Sequence, residues 1–341
     1  MNHVSLNKLV ILIAASFISC DTGTECCAQN PGNTPSSISL GITGDAADVQ
    51  TTTQFGVVLI GGGTDVDEAI RWMINKSAGG DFVVIRASGS TGYNDYIKQL
   101  GNANSVETLL IDSRDKANLA EASEKIRNAE ALFIAGGDQS NYVKYWADTE
   151  VSKAIKFLVE SKKVPIGGTS AGCAVLSEYI FDAKNGSVIS SEALTNPYDP
   201  LVSISKSFIL VPVLKNVIAD QHYSQRTRQG RHVAFMARLI KDFAVPSPIG
   251  IGVDERTAVA IEENGSTKVF GSGTAHFLFA GSIPEQCEGG KKLIWNNQGK
   301  ALRLYARVGS AIGTEGINVL QTPVAPPDQY WSVIDGELKV N

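Results

Sequence analysis

A serine flanked by two glycines is the feature of this sequence that most directly suggests chemistry. Gly168, Ser170 and Gly172 follow the apolar run at residues 164–166, which is typical of a buried strand. The spacing Gly-x-Ser-x-Gly is that of a nucleophile elbow, in which a strand ends, the chain turns sharply and a helix begins. Such a turn raises the hydroxyl above the sheet, beside free main-chain N–H groups. The motif predicts a nucleophilic serine; the alternative is a Gly-rich turn with a bystander serine.

A nucleophilic serine needs a base, and the chain has four histidines. His3 lies in the N-terminal segment, so the base must be His222, His232 or His276. His222 stands in the densest polar stretch of the chain, residues 220–231. That density favours His222 as the general base.

The elements that would position these residues alternate along the chain. Apolar strands are predicted at 55–60, 82–85, 106–111 and 131–134, and amphipathic helices at 65–75, 93–100, 119–128 and 148–161. This alternation predicts an α/β fold with a doubly wound, mostly parallel sheet. Closely spaced short strands at 249–253, 257–261, 268–270 and 276–279 predict an antiparallel edge.

Active sites of parallel sheets form at the carboxyl ends of the strands. Gly136 and Gly137 follow one predicted strand, and their N–H groups could complete an oxyanion hole with that of Ala171. The alternative is a helix-capping turn. A further run, Gly61 to Gly63, does not match the dinucleotide-binding pattern G-x-G-x-x-G.

The chain resembles the cyanophycinase and dipeptidase E family of serine peptidases, peptidase family S51. The resemblance is closest to the cyanophycinase branch and covers residues 53–280. It is carried by four motifs in order: Gly136-Gly137-Asp138-Gln139, Gly167-Gly168-Thr169-Ser170-Ala171-Gly172, Asp220-Gln221-His222 with Arg226, Arg228 and Arg231, and Gly252-Val253-Asp254-Glu255. It implies a fold like that of the class I glutamine amidotransferases, which is flavodoxin-like.

The resemblance implies that Ser170 attacks the scissile carbonyl and that His222 transfers the proton. A carboxylate should orient His222; Glu255 is the first candidate and Glu192 the second. The implied substrate-binding residues are Gln139, Asp220, Gln221, Arg226, Arg228 and Arg231. Arginine forks bind carboxylates at two points. Three arginines within six residues cannot all face one way, so at least one is expected to be structural.

The resemblance implies a serine peptidase that hydrolyses aspartyl-containing peptides, with the β-linked Asp-Arg polymer cyanophycin as a candidate substrate. The alternatives are an α-aspartyl dipeptidase and a catalytically silent peptide-binding surface lipoprotein. No cofactor or metal is implied, because no Cys or His spacing resembles a metal site. The predicted partner is the peptide substrate, and the oligomeric state is open between a monomer and a homodimer.

Charge and composition limit the other function classes. The net charge of the 341 residues is −5, and no basic tract suggests nucleic-acid binding. The predicted organisation is a signal peptide at 1–19, a lipidated or flexible tether at 20–52, a catalytic domain at 53–285 and a C-terminal extension at 286–341.

The N-terminus predicts export from a bacterial cell. Lys8 precedes an apolar stretch at residues 9–18, which has the length of a signal-peptide core and is too short to span a membrane. Ser19 and Cys20 end this stretch, which is typical of lipoproteins that are cleaved before a lipidated cysteine. The membrane would then be contacted through the lipid anchor only. The alternative is a periplasmic or secreted protein.

The lipid anchor can be tested by cell fractionation. The wild-type protein should partition with membranes in its host, whereas Cys20→Ala should not, because only the cysteine sulfur can carry the lipid. Recovery of both forms in the soluble periplasmic or secreted fraction would contradict lipidation and leave simple secretion.

Overall fold

The structure, a computed structural model, describes residues 38–341 and contains two β-sheets. Its strands are β1 (Ser39–Gly44), β2 (Gly56–Ile60), β3 (Phe82–Arg86), β4 (Ser105–Leu110), β5 (Ala131–Ile134), β6 (Pro165–Thr169), β7 (Tyr179–Phe181), β8 (Ile204–Lys206), β9 (Val217–Gln221), β10 (Ile249–Val253), β11 (Thr257–Glu262), β12 (Thr267–Gly271), β13 (Thr274–Ala280), β14 (Leu302–Val308), β15 (Thr314–Glu315), β16 (Gln329–Ile334) and β17 (Glu337–Val340).

The helices include those predicted at 65–75, 93–100, 119–128 and 148–161. They are α1 (Asp67–Lys76), α2 (Gly92–Leu100), α3 (Arg114–Ala117), α4 (Ala120–Asn128), α5 (Gln139–Trp146), α6 (Glu150–Phe157), α7 (Ala171–Ala174), α8 (Ser190–Thr195) and α9 (Gln229–Asp242). The predicted helix at 148–161 is divided, because α6 passes into a π-helical turn, Leu158–Lys162.

The first sheet has the order β1-β4-β3-β5-β6-β2-β11-β12-β15. Its centre, from β4 to β2, is parallel. Helices cover both faces: Val58 and Val84 pack with residues of α1 and α2, whereas Val57 and Val83 pack with residues of α4 and α6. Consecutive strand residues point to opposite faces, so these fully apolar strands require cover on both sides. The predicted α/β fold with a mostly parallel core is confirmed.

The second sheet is not predicted by the sequence pattern. It has the order β17-β16-β14-β13-β10-β9-β7-β8 and is mixed, since β9 is parallel to β10 and β7 whereas β13 is antiparallel to β10. The strands predicted as one antiparallel edge are shared between the sheets: β11 and β12 extend the first, and β10 and β13 belong to the second. Apolar runs of similar length identify strands but not their partners, which is why a single sheet was the simpler prediction.

The C-terminal segment predicted as an extension contributes to both sheets: β15 ends the first, and β14, β16 and β17 belong to the second. β14 pairs with β13 over seven residues, and β16 and β17 continue the sheet. Trp295 and Tyr305 are fully buried, and burial of each such ring stabilises the fold by about 2 kcal/mol. Residues 286–341 are therefore an integral part of the same fold as the predicted catalytic domain.

The predicted tether reaches into ordered structure at its C-terminal end. β1 lies within residues 20–52 and pairs antiparallel with β4 at the edge of the first sheet. The predicted signal peptide and Cys20 lie outside the described residues. Within residues 38–341, no helix has the length and apolar character needed to cross a membrane.

Candidate active site

Ser170 occupies the turn between β6 and α7, as the elbow motif predicts. Its φ of 52° and ψ of −115° lie where a residue with a Cβ atom is strained. Gly172 permits the turn, because a Cβ atom there would come within 2.0 Å of the carbonyl oxygen of Ile134. The close passage of α7 over β5 holds the serine rigidly at the carboxyl edge of the first sheet.

His222 follows β9 of the second sheet and approaches the serine from the opposite side. Its Nε2 lies 2.8 Å from Ser170 Oγ. Its main-chain N–H donates to the carbonyl oxygen of Gly61 at 2.8 Å, which ties it to the end of β2 in the first sheet. An unprotonated Nε2 in this position accepts the serine proton.

Glu255 completes a line of hydrogen bonds. Its Oε1 lies 2.7 Å from Nδ1 of His222, and its main-chain N–H donates to Oε1 of Gln225 at 2.9 Å. Gln221 is opposite Val253 in the parallel pair of β9 and β10, so the residues that follow these strands emerge side by side. A carboxylate that accepts a hydrogen bond from Nδ1–H holds the tautomer in which Nε2 is free to act as a base.

The second predicted acid, Glu192, lies elsewhere. It is exposed on α8, where its Oε2 accepts the N–H of Ile189 at 3.1 Å and closes the start of that helix. Glu178 accepts the N–H of Asn216 at 2.7 Å. Within residues 38–341, neither carboxylate makes a hydrogen bond or an ion pair with His222.

The other two candidate bases do not approach the serine. His232 is buried between the Tyr223 hydroxyl, 3.1 Å from its Nδ1, and the carbonyl oxygen of Ile218, 3.0 Å from its Nε2. His276 has its Nε2 3.7 Å from Asp254 Oδ1. Both histidines therefore have neighbours other than Ser170.

The glycine run after β2 is a part of the site that sequence reasoning missed. Gly62, with a φ of +96°, lies against the imidazole, and a Cβ atom there would be 2.4 Å from Cε1 of His222. A Cβ atom on Gly63 would be 3.1 Å from that of Glu255. The glycine pattern by itself brings only a dinucleotide motif to mind, whereas the position of the turn after a predicted parallel strand indicates a role at the catalytic edge.

A cleft of 280 Å³ opens beside Ser170, and we call it the arginine cleft. It is lined by Gly137, Asp138, Gln139, Ser170, Phe181, Ala183, Gly186, Ser187, Gln221, Arg226, Arg228 and Arg231. Six of the predicted site residues in addition to the nucleophile are among them. Asp220, which was predicted to contact substrate, does not line the cleft, because its partners are other side chains of the protein.

Asp220 is buried and bonded by the protein itself. Arg231 donates to it at two points, from Nη2 to Oδ1 at 2.6 Å and from Nε to Oδ2 at 2.8 Å. Arg228 Nη1 lies 3.3 Å from the same Oδ1. Burial alone would raise the pKa of Asp220, but the two guanidinium groups hold that pKa below its ordinary value. Asp220 is therefore a buried anchor for two arginines.

The three predicted arginines differ in what they can offer a ligand. Arg231 is only 2% exposed and also donates to Ser187 and Val188, so it holds the cleft wall. Arg228 uses Nη1 internally and leaves its other N–H groups without a partner among residues 38–341. Burial lowers the pKa of Arg228 to about 10, partly offset by Asp220. Arg226 is exposed, and its side chain has no ion pair in the described part of the chain.

The main-chain N–H groups predicted for the oxyanion hole border the nucleophile. A Cβ atom on Gly136 would lie 3.5 Å from that of Ser170, and Gly137 lines the cleft. The N–H groups of both glycines have no acceptor among the described residues. Ala171 is the first residue of α7, a position whose N–H has no acceptor within the helix.

Neither a reactive thiol nor a metal-binding cluster is found among the described residues of this region. Cys173 is buried in α7, and burial raises the pKa of its thiol, which suppresses the nucleophilic thiolate. In residues 38–341, no group of three or more His, Cys, Asp or Glu side chains is arranged to hold a metal ion.

Comparison with known proteins identifies the family. Residues 57–269, more than half of the chain, match Peptidase family S51. The chain belongs to peptidase family S51. It is thus an enzyme, a serine peptidase.

Several relatives of this S51 peptidase are named cyanophycinase. It is 29% identical over 233 residues to a cyanophycinase of Nostoc sp., and this alignment covers 65% of this chain and 72% of the relative. It is 31% identical over 183 residues to a cyanophycinase of Synechococcus elongatus, and this alignment covers 53% of this chain and 51% of the relative. A solved peptidase structure from an acI-B1 Actinobacterium has a TM-score of 0.49 and 20% identity, and the match covers 67% of this chain and 91% of that one.

The surroundings of His222 in this S51 peptidase favour its neutral form. Burial lowers the pKa of the imidazole, the hydrogen bond that Nδ1–H donates to Glu255 opposes that effect, and the positive charges of Arg226 and Arg228 lower the pKa further. The result is a pKa below 6.5, the ordinary value for histidine. A base that must accept a proton from a serine is therefore ready at neutral pH.

Arg226→Gln should move the acidic limb of the pH profile of kcat/KM to higher pH. The variant removes a positive charge that disfavours the imidazolium, so the pKa of His222 rises and the neutral base is lost at a higher pH. Steady-state kinetics across the acidic range measures the shift. Arg71→Gln, which removes an exposed guanidinium on α1 paired with Asp67, is the control. An acidic limb that stays in place or moves to lower pH in Arg226→Gln would contradict this coupling.

Proposed function

We propose that this S51 peptidase hydrolyses aspartyl-containing peptides through Ser170, His222 and Glu255 and an acyl-enzyme intermediate. One observation carries the proposal. Ser170 Oγ is 2.8 Å from His222 Nε2, and His222 Nδ1 is 2.7 Å from Glu255 Oε1, at the mouth of the arginine cleft. The same order of groups activates serine in hydrolases of unrelated fold.

The proposed reaction has two stages. Ser170 Oγ bonds to the scissile carbonyl carbon while its proton passes to His222 Nε2. The N–H groups of Gly136, Gly137 and Ala171 receive the charge that develops on the carbonyl oxygen. The C–N bond then breaks, and His222 gives its proton to the leaving amine.

In the second stage, water hydrolyses the acyl-enzyme, and His222 Nε2 again acts as the base. His222 takes a proton from the water as its oxygen attacks the ester carbon, and the ester C–O bond breaks as Ser170 regains a proton. Glu255 keeps the Nδ1 proton in position and stabilises the imidazolium formed in each stage. The products are the amine and the free carboxylic acid.

The charge of the cleft supports an anionic group on the substrate. Arg226 and Arg228 line the same cleft, and among residues 38–341 the guanidinium of Arg226 has no ion pair and that of Arg228 keeps N–H groups without an acceptor. A carboxylate there gains charge-assisted hydrogen bonds. We assign this role to the aspartyl carboxylate, with Gln139 and Gln221 as neutral hydrogen-bonding groups. The name cyanophycinase, which the Nostoc and Synechococcus relatives carry, supports the β-linked Asp-Arg polymer, cyanophycin, as the substrate.

The proposed triad can be tested by three substitutions. Ser170→Ala should lower kcat by about 10⁴-fold or more without changing thermal unfolding, because the attacking atom is lost. Glu255→Gln should lower kcat much more than Glu192→Gln, since Glu255 accepts the hydrogen bond of His222 Nδ1–H and Glu192 instead accepts that of the Ile189 N–H. Steady-state kinetics on one aspartyl peptide measures both effects. A Ser170→Ala variant within about tenfold of the wild type, or a larger loss in Glu192→Gln, would remove the assignment.

The substrate class is tested with a panel of peptides. The purified protein should release smaller products from the β-linked Asp-Arg polymer, and faster than from α-aspartyl dipeptides, when products are identified by mass. Replacement of the aspartyl carboxylate by an asparagine amide should lower kcat/KM by about tenfold or more, because charged hydrogen bonds exceed neutral ones in strength. Preference for the α-aspartyl dipeptides would make the protein an aspartyl dipeptidase, and equal cleavage of Asp and Asn peptides would refute carboxylate recognition.

We also propose that the protein acts outside the cytoplasm. The apolar stretch at residues 9–18, followed by Cys20, supports export with a lipid anchor. Its test is the fractionation of wild type and Cys20→Ala described above.

A further inference from the structure

Two neighbouring turns carry the base and the acid of the proposed triad. Residues 222–225, which we call the base turn, follow β9 and begin with His222. Residues 254–256, which we call the acid turn, follow β10 and contain Glu255. Because β9 and β10 are adjacent and parallel, both turns leave the second sheet at the same edge. The distance between the imidazole and the carboxylate therefore depends on how the two turns are held together.

Each turn supplies a side chain that accepts a main-chain N–H group of the other turn. Asp254 Oδ1, from the acid turn, accepts the N–H of Ser224 at 2.9 Å. Gln225 Oε1, from the base turn, accepts the N–H of Glu255 at 2.9 Å. We call this pair of hydrogen bonds the reciprocal clamp, because the two bonds run in opposite directions between the same two turns.

The main chain joins the turns at an earlier point. The N–H of Tyr223 donates to the carbonyl oxygen of Val253 at 3.2 Å, which continues the pairing of β9 with β10. This bond lies before the catalytic acid and leaves the main-chain N–H of Glu255 to Gln225. The position of the acid along the edge of the sheet is thus held by a side chain of the base turn.

The two clamp residues differ in their surroundings. Asp254 is buried, and its second oxygen, Oδ2, accepts the N–H of Thr274 at 3.2 Å. Gln225 is exposed and does not line the arginine cleft. Its side chain is therefore placed to act on the acid turn and not on a ligand in that cleft.

We propose that Gln225 and Asp254 are positioning residues, which hold Glu255 at hydrogen-bonding distance from His222 Nδ1 through the reciprocal clamp. This inference rests on the proposed function and concerns the same triad. Without the clamp, the acid turn is free to move away from the imidazole. A displacement of about 1 Å between catalytic groups can cost about two orders of magnitude in rate.

Gln225→Met is the first test, because methionine has nearly the length of glutamine but lacks the amide oxygen. With an aspartyl peptide as substrate, kcat should fall by about tenfold or more. KM should change little, since Gln225 does not line the cleft. The side chain is exposed, so the thermal unfolding midpoint should be retained. Gln99→Met, which makes the same change at an exposed position of α2, should leave kcat unchanged.

A double-mutant cycle shows whether the clamp acts through the acid. In a Glu255→Gln background the carboxylate is already lost, so adding Gln225→Met should lower kcat by only about twofold or less. Asp254→Asn replaces one acceptor oxygen with an N–H donor that faces a main-chain N–H group. It should lower kcat at least as much as Gln225→Met does, and most of that loss should also be absent in the Glu255→Gln background.

Three results would overturn the inference while the wild type remains active. They are a kcat of Gln225→Met within about twofold of the wild type, a loss that lies in KM instead of kcat, and losses that multiply fully with that of Glu255→Gln. A wild type that cleaves no aspartyl peptide would overturn the proposed function, and this inference with it.

Discussion

The hydrogen bond between Ser170 and His222 joins two sheets, and the geometry of the site depends on how those sheets pack. The serine ends a strand of the first sheet, and the histidine ends a strand of the second. A displacement of about 1 Å between catalytic groups can cost about two orders of magnitude in rate. The sheets share one hydrophobic core, in which Leu59 and Ile166 of the first lie with Val217 and Ile251 of the second. That core is the physical basis of the catalytic distance.

The chain passes from the second sheet to the first at the catalytic acid. Asp254, just before Glu255, accepts the N–H of Ser224 at 2.9 Å with Oδ1 and the N–H of Thr274 at 3.2 Å with Oδ2. Burial would raise the pKa of Asp254, but the nearby His276 and the hydrogen bonding of Ser224 hold that pKa below its ordinary value. The ionised carboxylate of Asp254 therefore fixes the segment that connects the two sheets. Ser170 and His222 also hold positive φ angles, 52° and 48°, and such strain is retained only where the surroundings are rigid.

A second buried carboxylate determines how the arginines are used. Asp220 draws the guanidinium groups of Arg231 and Arg228 towards the interior. The desolvation cost of such a buried group is large, so its net contribution to stability is small. Its effect is positional: it keeps Arg231 in the wall and turns part of Arg228 towards the cleft. Sequence order alone makes the three arginines look equivalent, although only two can meet a ligand.

The sequence by itself determined the local features of this protein. The Gly-x-Ser-x-Gly turn, the parallel strands and the helices that cover them follow from short-range patterns of apolar residues and glycines, and the resemblance to the family makes Glu255, two residues after a predicted strand, the first candidate acid. Only the tertiary structure decided the pairing of strands into two sheets, the internal use of Asp220 and the contact of Gly62 with His222. Those outcomes depend on which distant segments meet, and a pattern with a period of two or 3.6 residues carries no information about that meeting.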